Sequence, residues 1–259
     1  MNKRYSILPV MVAGILLWAG CTVKEDRTMC PCILVLDMSE VDTLQVKSAD
    51  LFVTDDDGFF YEEVLGPEDF REDHVVEVPR KPLDLAIWSG APEIDPKDGL
   101  VIPYGEECPP VRFHLSKMET GTEAVREVVR MHKNHCIMTV QLNWTDIDLE
   151  DIVMIGNVNG YGPDGSPSEG DFLFRMDNVD EGDFRVVLPR QIDDSLIMEV
   201  SDSSGAVRRF SIGEYIARSG YDWTEQDLKD ITVELDIAFL QVTLVIQGWD
   251  TSHRFDIVI

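Results

Sequence analysis

Short runs in which apolar and polar residues alternate recur along most of this chain, separated by turn-forming residues. In Leu83–Trp88, the side chains of Leu83, Leu85 and Ile87 fall on one face, as expected of a half-buried β-strand. Asp55-Asp56-Asp57-Gly58 stands between two such runs and is typical of a hairpin turn. The pattern predicts an all-β fold. The other runs that support it are Cys32–Met38, Ala49–Thr54, Phe59–Val64, His74–Val78, Val111–Leu115, Cys136–Trp144, Ile152–Val158, Phe172–Met176, Phe184–Leu188, Leu196–Val200 and Val207–Ser211.

Helical signals are few and come late in the chain. Ser211-Ile212-Gly213-Glu214 has the form of a capping box, in which Ser and Glu side chains bond free amide groups at a helix start, and Gly220 supplies the stop. Thr224 opens a second short turn in the same way, and strand-type runs continue from Ile231 to the last residue. We predict two β-sandwiches in tandem, residues 32–133 and 134–259, with one or two short helices in the second.

Residues 1–20 have the character of a secretory signal. A basic start precedes an apolar run that is shorter than the roughly 20 residues a membrane-spanning helix needs. The run ends in Leu17-Trp18-Ala19-Gly20-Cys21, which resembles a bacterial lipobox, in which the cysteine is acylated and the signal is cut just before it. Trp18 departs from the Leu-like residue of that pattern. We expect Cys21 to carry the lipid and residues 21–31 to form a tether; the alternative is an ordinary signal peptide with an incidental cysteine.

Acidic residues outnumber basic ones by 49 to 22, which gives a formal net charge of −27. A field of that sign repels phosphate backbones and anionic lipid headgroups. The charge therefore disfavours nucleic-acid binding and a polybasic membrane contact. Lipid attached to the protein would have to hold it at a membrane, and several acyl chains are needed for durable anchoring.

Four further cysteines follow the lipobox: Cys30, Cys32, Cys108 and Cys136. An even number of cysteines in an exported chain predicts disulfides, and four cysteines allow three pairings. A direct bond between Cys30 and Cys32 would close a strained ring across Pro31. We therefore expect both to reach distant partners and to join the N-terminal strand to the body of the protein.

A metal site is the alternative use of these thiols, with Cys30-Pro31-Cys32, His132, His135 and Cys136 as ligands. Zinc fingers space paired cysteines by two to four residues and repeat the pair. Here one residue separates the cysteines, and the His-x-x-His-Cys cluster stands alone. The sequence therefore predicts no metal.

Other motifs of catalysis or cofactor binding lack the context that their chemistry needs. Gly160-Tyr161-Gly162-Pro163-Asp164-Gly165 matches a dinucleotide fingerprint, but prolines and acidic residues follow it in place of a helix N-terminus. We interpret it as a loop. Asp55–Gly58 lacks the spacing of an EF-hand, and no Gly-x-Ser-x-Gly elbow is present. The sequence predicts no enzyme, no cofactor and no small-molecule substrate.

Four tryptophans present a choice between a sugar-stacking platform and core packing. Trp88, Trp144, Trp223 and Trp249 are spread along the chain, and Trp144 falls on an apolar strand face. Core packing is the favoured interpretation for the set, because large aromatic side chains dominate core energetics. A surface lipoprotein that binds glycan is the alternative function.

The run from Cys21 to Met38 also carries a family resemblance. A cysteine at the lipobox is followed by Asp26-Arg27, by Cys30-Pro31-Cys32 and by a strand. This arrangement resembles the mature start of the FimB-like fimbrial anchor lipoproteins of Bacteroides and relatives. Val78–Trp88 is similar to a first-domain strand of that family that ends in Trp. The late helix and the strands up to Trp249 are similar to the end of its second domain.

The resemblance implies two transthyretin-like β-sandwich domains and a place at the base of, or within, a type V fimbrium. The implied location is the outer membrane, through the lipid anchor, and the implied partners are fimbrial subunits (fimbrillins). Subunits of such fimbriae join by strand exchange, which is a form of β-augmentation. Phe255, Ile257 and Ile259 in the last strand are the candidate donor or exposed edge, and pairing within its own sheet is the alternative for this strand.

Overall fold

The computed structural model describes residues 30–143, 149–180, 182–236, 241–248 and 252–256. This part consists of β-strands and a single helix, α1 (Ile212–Ser219), which confirms the predicted all-β fold. No helix in these ranges has the length and hydropathy of a membrane span. The strands are β1 (Cys32–Asp37), β2 (Ala49–Thr54), β3 (Phe60–Leu65), β4 (His74–Val78), β5 (Pro82–Ser89), β6 (Leu100–Val101), β7 (Arg112–Glu119), β8 (Ala124–Val128), β9 (His132–Lys133), β10 (His135–Asn143), β11 (Leu149–Tyr161), β12 (Pro167–Arg175), β13 (Asp177–Asp180), β14 (Asp183–Pro189), β15 (Ile197–Asp202), β16 (Val207–Phe210), β17 (Ile231–Asp236), β18 (Gln241–Ile246) and β19 (Ser252–Asp256).

Two sheets form the first half of the molecule. One has three strands in the order β4-β1-β8, and the other has five in the order β3-β2-β5-β7-β9. Leu34 and Leu36 of β1 share a core with Leu51 of β2 and Leu85 of β5, because alternate side chains of a strand point to the same face. This shared core places the two sheets face to face, as in a sandwich.

The second half also has two sheets. Its six-stranded sheet runs β13-β14-β10-β17-β18-β19, and its five-stranded sheet runs β12-β11-β15-β16 with β6 beside β11. Val140 of β10, Met154 of β11 and Leu244 of β18 lie in one core, and Ile216 of α1 belongs to the same core. The second half is therefore also a packed pair of sheets, with the helix against it.

The helix begins and ends where the sequence predicts, but its first turn is not closed by a capping box. Ser211 is the N-cap and makes no side-chain cap hydrogen bond, whereas Gly220 at the C-cap has φ 85°. The stretch from Thr224 to Asp227 forms turns without a helix. There the Thr224 amide donates to Asp222 Oδ1 at 2.8 Å, so a local side-chain turn takes the place of the second predicted helical segment.

A third, smaller core lies where the halves meet. It contains Phe52 and Trp88 from the first half together with Leu100, Val111 and Tyr161. Residues 100–108 fall in the predicted first unit by sequence, yet β6 pairs with β11 and Cys108 lies in the core of the second half. The division at residues 133 and 134 stays a prediction, and the packing of residues 100–108 does not follow it.

Candidate functional site

The strand β19 lies at the edge of the six-stranded sheet. It runs antiparallel to β18, with Phe255 opposite Val242 and His253 opposite Leu244. Its other side pairs with no strand in the part of the chain that the structure describes. A strand edge presents a row of N–H and C=O groups that another chain can pair with. The free side of β19 is therefore a candidate site for strand addition.

The helix holds β19 in place through Phe255. The Phe255 ring lies 5.4 Å from the Tyr215 ring, and the Arg218 guanidinium carbon lies 4.7 Å from the centre of the Phe255 ring. A cation over an aromatic face contributes roughly 0.5–1 kcal/mol at an exposed site. Donating this strand to another subunit would break these contacts, whereas accepting a strand at its free side would keep them. Ile257 and Ile259 lie outside the described residues.

Charged side chains occupy two of the other sheet edges. On β16, Arg209 pairs with Glu199 at 2.5 Å, and on β8, Arg126 pairs with Asp37 at 2.8 Å. Charges on an edge strand discourage pairing with another chain. By contrast, β3 carries Phe60 and Val64, which are 49% and 67% exposed. The edge strand β3 therefore exposes two apolar side chains, whereas the edge strand β19 carries the charged residues Arg254 and Asp256, as β16 and β8 carry charges. The sequence predicted β3 as a strand without showing that it lies at an edge.

The four predicted disulfide candidates are free thiols in the structure. Cys30 is exposed, and Cys32, Cys108 and Cys136 are buried. Cys32 faces the core of the first half, whereas Cys108 and Cys136 face the core of the second half. A bond from Cys32 to either of those two would have to join separate cores, so the expected link from the N-terminal strand to the body is absent. Burial raises the pKa of the Cys136 thiol to about 12.

The histidines of the alternative metal site already have other partners. His132 Nδ1 lies 3.1 Å from Asp227 Oδ2, and His135 Nδ1 lies 3.0 Å from the carbonyl oxygen of Val111. Burial lowers the pKa of His135 to about 4. Within the described ranges, no three His, Cys, Asp or Glu side chains converge as metal ligands.

The glycine-rich fingerprint forms the turn between β11 and β12. The Gly165 amide donates to the carbonyl oxygen of Gly162 at 2.9 Å, so the segment is a hairpin loop and no helix follows it. A side chain on Gly165 would contact Leu115 Cδ1 at 2.6 Å, which shows that the loop packs closely on β7. The Tyr161 and Phe113 rings, 5.7 Å apart, complete this contact between the halves.

Tyr161 also fixes the start of the second half through its hydroxyl group. The hydroxyl donates to the carbonyl oxygen of Asn134 and accepts from the Arg190 amide at 2.7 Å. The Arg190 guanidinium donates to Asn134 Oδ1 at 2.8 Å and to the carbonyl oxygen of Trp223. This buried network connects three loops at one end of the second half.

The tryptophans do not form a shared platform in the part that the structure describes. Trp88 is 1% exposed and packs against Phe113, with ring centres 4.5 Å apart, so it is a core residue. Trp223 is half-buried and meets the Tyr221 ring edge-on, at 4.8 Å and 66°. Trp144 and Trp249 lie outside the described residues. Trp223 lines a cleft of about 750 Å³ between α1 and the loop after β14.

The chain matches no family model and no curated protein sequence. Its fold is similar to several solved structures. A candidate polysaccharide-binding protein of Bacteroides thetaiotaomicron has a TM-score of 0.63 at 16% identity, covering 88% of this chain and 98% of its own. A candidate adhesin of the same organism has a TM-score of 0.59 at 12% identity, covering 87% and 98%. The fimbrial anchor protein Mfa2 of Porphyromonas gingivalis has a TM-score of 0.55 at 12% identity, covering 85% and 98%. These similarities establish the fold.

Proposed function

We propose that this protein is a structural subunit of a bacterial fimbrium, and specifically the lipid-anchored subunit that holds the fimbrium at the outer membrane. The observation that carries the proposal is the likeness to a fimbrial anchor protein, which covers 85% of this chain and 98% of that one. The adhesin-like neighbours and the lipobox at Cys21 support it. In this role the protein catalyses no reaction, and its partners are fimbrial subunits.

The anchoring part of the proposal depends on Cys21. Metabolic labelling with a fatty-acid probe is expected to mark the wild-type protein and to leave a Cys21→Ala variant unmarked. Cys30→Ala is the matched control, because Cys30 is exposed and lies close in sequence; it is expected to label like the wild type. Equal labelling of wild type and Cys21→Ala would contradict the lipid site.

Deletion of the gene tests the role in the fimbrium itself. Cells that lack the anchor are expected to shed fimbriae into the medium or to carry fimbriae of altered length. Complementation with the wild-type gene is expected to restore attachment, and complementation with Cys21→Ala is not. Fimbriae of normal length that stay attached after deletion would contradict the anchor role.

The partner site that we propose is the free side of β19. Successive amide groups of a strand point to opposite sides, so one of two neighbouring positions donates toward β18 and the other toward the free side. Arg254→Pro and His253→Pro each remove one amide donor. The variant that keeps the wild-type melting temperature is the one that alters the free side, and we expect it to reduce the attachment of fimbriae. Normal attachment with that variant would contradict strand addition at β19.

Glycan binding remains the second candidate function. Its support is the neighbour with a TM-score of 0.63 that is named as a candidate polysaccharide-binding protein. The described tryptophans do not favour it, because Trp88 is buried and Trp223 meets Tyr221 edge-on. Retention of the purified protein on immobilised polysaccharides, compared with a Trp223→Leu variant, would test it.

A further inference from the structure

The cleft beside α1 combines an aromatic wall with an acidic rim. Its volume of about 750 Å³ lies within the range of ligand pockets, roughly 300–1,000 Å³. Trp223 and Tyr221 form one wall, and Ile192, which is 44% exposed, stands on the opposite loop. Asp193 and Asp222 lie at the rim, so a ligand in the cleft would contact apolar rings and carboxylates together.

The two rim carboxylates are held in the ionised form. Hydrogen bonds from the side chain and amide of Ser195 lower the pKa of Asp193, and those of Thr224 lower the pKa of Asp222. In both turns the bonded oxygen is Oδ1. Oδ2 of Asp222 has no hydrogen bond within the described part of the chain, so it is available to a donor on a ligand.

Among the described residues that line this cleft, the one cationic group is Arg190, and the protein already binds it. The Arg190 guanidinium donates to the carbonyl oxygen of Trp223 and to Asn134 Oδ1. With Asp193, Asp194 and Asp222 around it, the cleft keeps an excess of negative charge. An anionic ligand is therefore disfavoured, and the net charge of −27 on the whole chain adds to this field.

The rim carboxylates offer acceptors to a ligand. Asp193 Oδ2 accepts from Asn157 Nδ2 at 2.9 Å, so among the carboxylate oxygens of Asp193 and Asp222 the open one is Asp222 Oδ2. A guanidinium offers donors and no acceptor, so it complements such an oxygen.

We propose that the cleft binds an arginine side chain presented by a partner protein. A planar guanidinium stacks on an aromatic face and pairs with carboxylates through its fork of donors. A neutral saccharide would form no ion pair with the carboxylates of Asp193 and Asp222. Because Trp223 and Tyr221 meet edge-on, they do not present two parallel rings on which a sugar could stack. This proposal does not rest on the fimbrial role, since it concerns a different surface from β19.

The test uses the tripeptide acetyl-Gly-Arg-Gly-amide as probe and follows the assigned indole resonance of Trp223 by NMR. A concentration-dependent shift is expected, weakened by added salt. The same peptide with citrulline in place of arginine keeps the shape and loses the charge. It is expected to bind at least about threefold more weakly, the effect of losing one partly exposed ion pair.

Asp222→Asn removes a rim charge while keeping an oxygen for the turn with Thr224. Asp56→Asn makes the same change of charge in the exposed hairpin turn and is the matched control. We expect weaker binding by about threefold for Asp222→Asn and no change for Asp56→Asn. Equal weakening in both variants, equal binding of the citrulline peptide, or no shift up to the solubility of the peptide would overturn the proposal. A shift with maltotetraose and none with the arginine peptide would also overturn it, in favour of a glycan site.

Discussion

Replacing Gly99 by alanine is expected to separate β6 from β11. Gly99 has φ +83°, and a methyl group on it would overlap the carbonyl oxygen of Tyr161. Gly105 has nearly the same backbone, with φ +89°, and a methyl group on it would meet no atom within 4 Å. The two positions share a left-handed backbone, and only Gly99 has a neighbouring atom that a methyl group would meet, so Gly105→Ala is the control for Gly99→Ala.

The expected magnitudes follow from what surrounds each glycine. Both alanines pay about 1–2 kcal/mol for a left-handed backbone. In Gly99→Ala, the pairing of Leu100 with Tyr161 and the 2.7 Å bond from the Ile102 amide to the Asn159 carbonyl oxygen are also strained. Each lost hydrogen bond costs about 0.5–1.5 kcal/mol. Partial exposure of the buried Leu100 and Ile102 side chains adds about 1–2 kcal/mol.

We therefore expect Gly99→Ala to lower the free energy of unfolding by about 3 kcal/mol more than Gly105→Ala. Urea titration, followed by tryptophan fluorescence and by circular dichroism, measures both variants and the wild type in the same buffer. A lower midpoint with an unchanged slope would indicate lost stability without a change in the surface exposed on unfolding. Equal midpoints for the two variants would refute the argument that β6 depends on close approach at Gly99.

Three further predictions concern buried groups. Because the pKa of His135 is about 4 in the folded state and near 6.5 when unfolded, the unfolded chain binds more protons between these values. Stability should fall by up to about 3 kcal/mol as the pH drops through that window, and His135→Gln should flatten the loss; a flat wild-type profile in urea titrations would contradict this. Tyr161→Phe removes a hydroxyl that joins Asn134 and Arg190, and should cost about 1–3 kcal/mol in the same titration; an unchanged midpoint would show that the network adds no stability. In a chain that starts after Cys21, Ellman's reagent should titrate Cys30 quickly and the other three thiols only in denaturant, whereas fewer than four thiols in denaturant would restore the predicted disulfides.

Much of the fold was predictable because it follows local alternation. The strands Ala49–Thr54 and His74–Val78 have the predicted bounds, and Asp55–Gly58 joins β2 to β3 as a hairpin. In each of these strands, the side chains of the two faces differ in polarity or burial. The sequence therefore shows an alternation that predicts the strand. The helix has the predicted limits, with Ser211 at its N-cap and Gly220 at its C-cap, although Ser211 makes no side-chain cap hydrogen bond.

Other elements depend on contacts that no local pattern records. The strand β8 (Ala124–Val128) was missed because it contains Arg126 and Glu127 and pairs in parallel with β1, which is distant in sequence. The strand β6 has only Leu100 and Val101, and its place beside β11 follows from the close approach at Gly99. Pairing between strands that are distant in sequence depends on the tertiary structure, so local sequence patterns do not predict it.

For the candidate sites too, the sequence predicts some features and only the fold shows the others. The sequence alone left the last strand as either an exposed edge or a strand paired within its own sheet, and the strand order places β19 at a sheet edge, paired with β18. The sequence grouped Trp88 and Trp223, whereas the structure buries the first and places the second in a cleft. The acidic rim of that cleft comes from two loops, around Asp193 and Asp222, which only the fold brings together.

The path of residues 99–111 has a consequence for any attempt to divide this protein. The chain leaves the first half at Gly99, contributes β6, Ile102 and Cys108 to the second half, and returns to the first half at β7. The chain passes into the second half again after β9, which still pairs with β7 of the first half. A single cut at residues 133 and 134 would thus take a strand and two core side chains away from the piece that needs them. The piece from residue 134 onward would miss part of its own interior, so a variant meant to isolate the second half has to keep residues 99–111 with it.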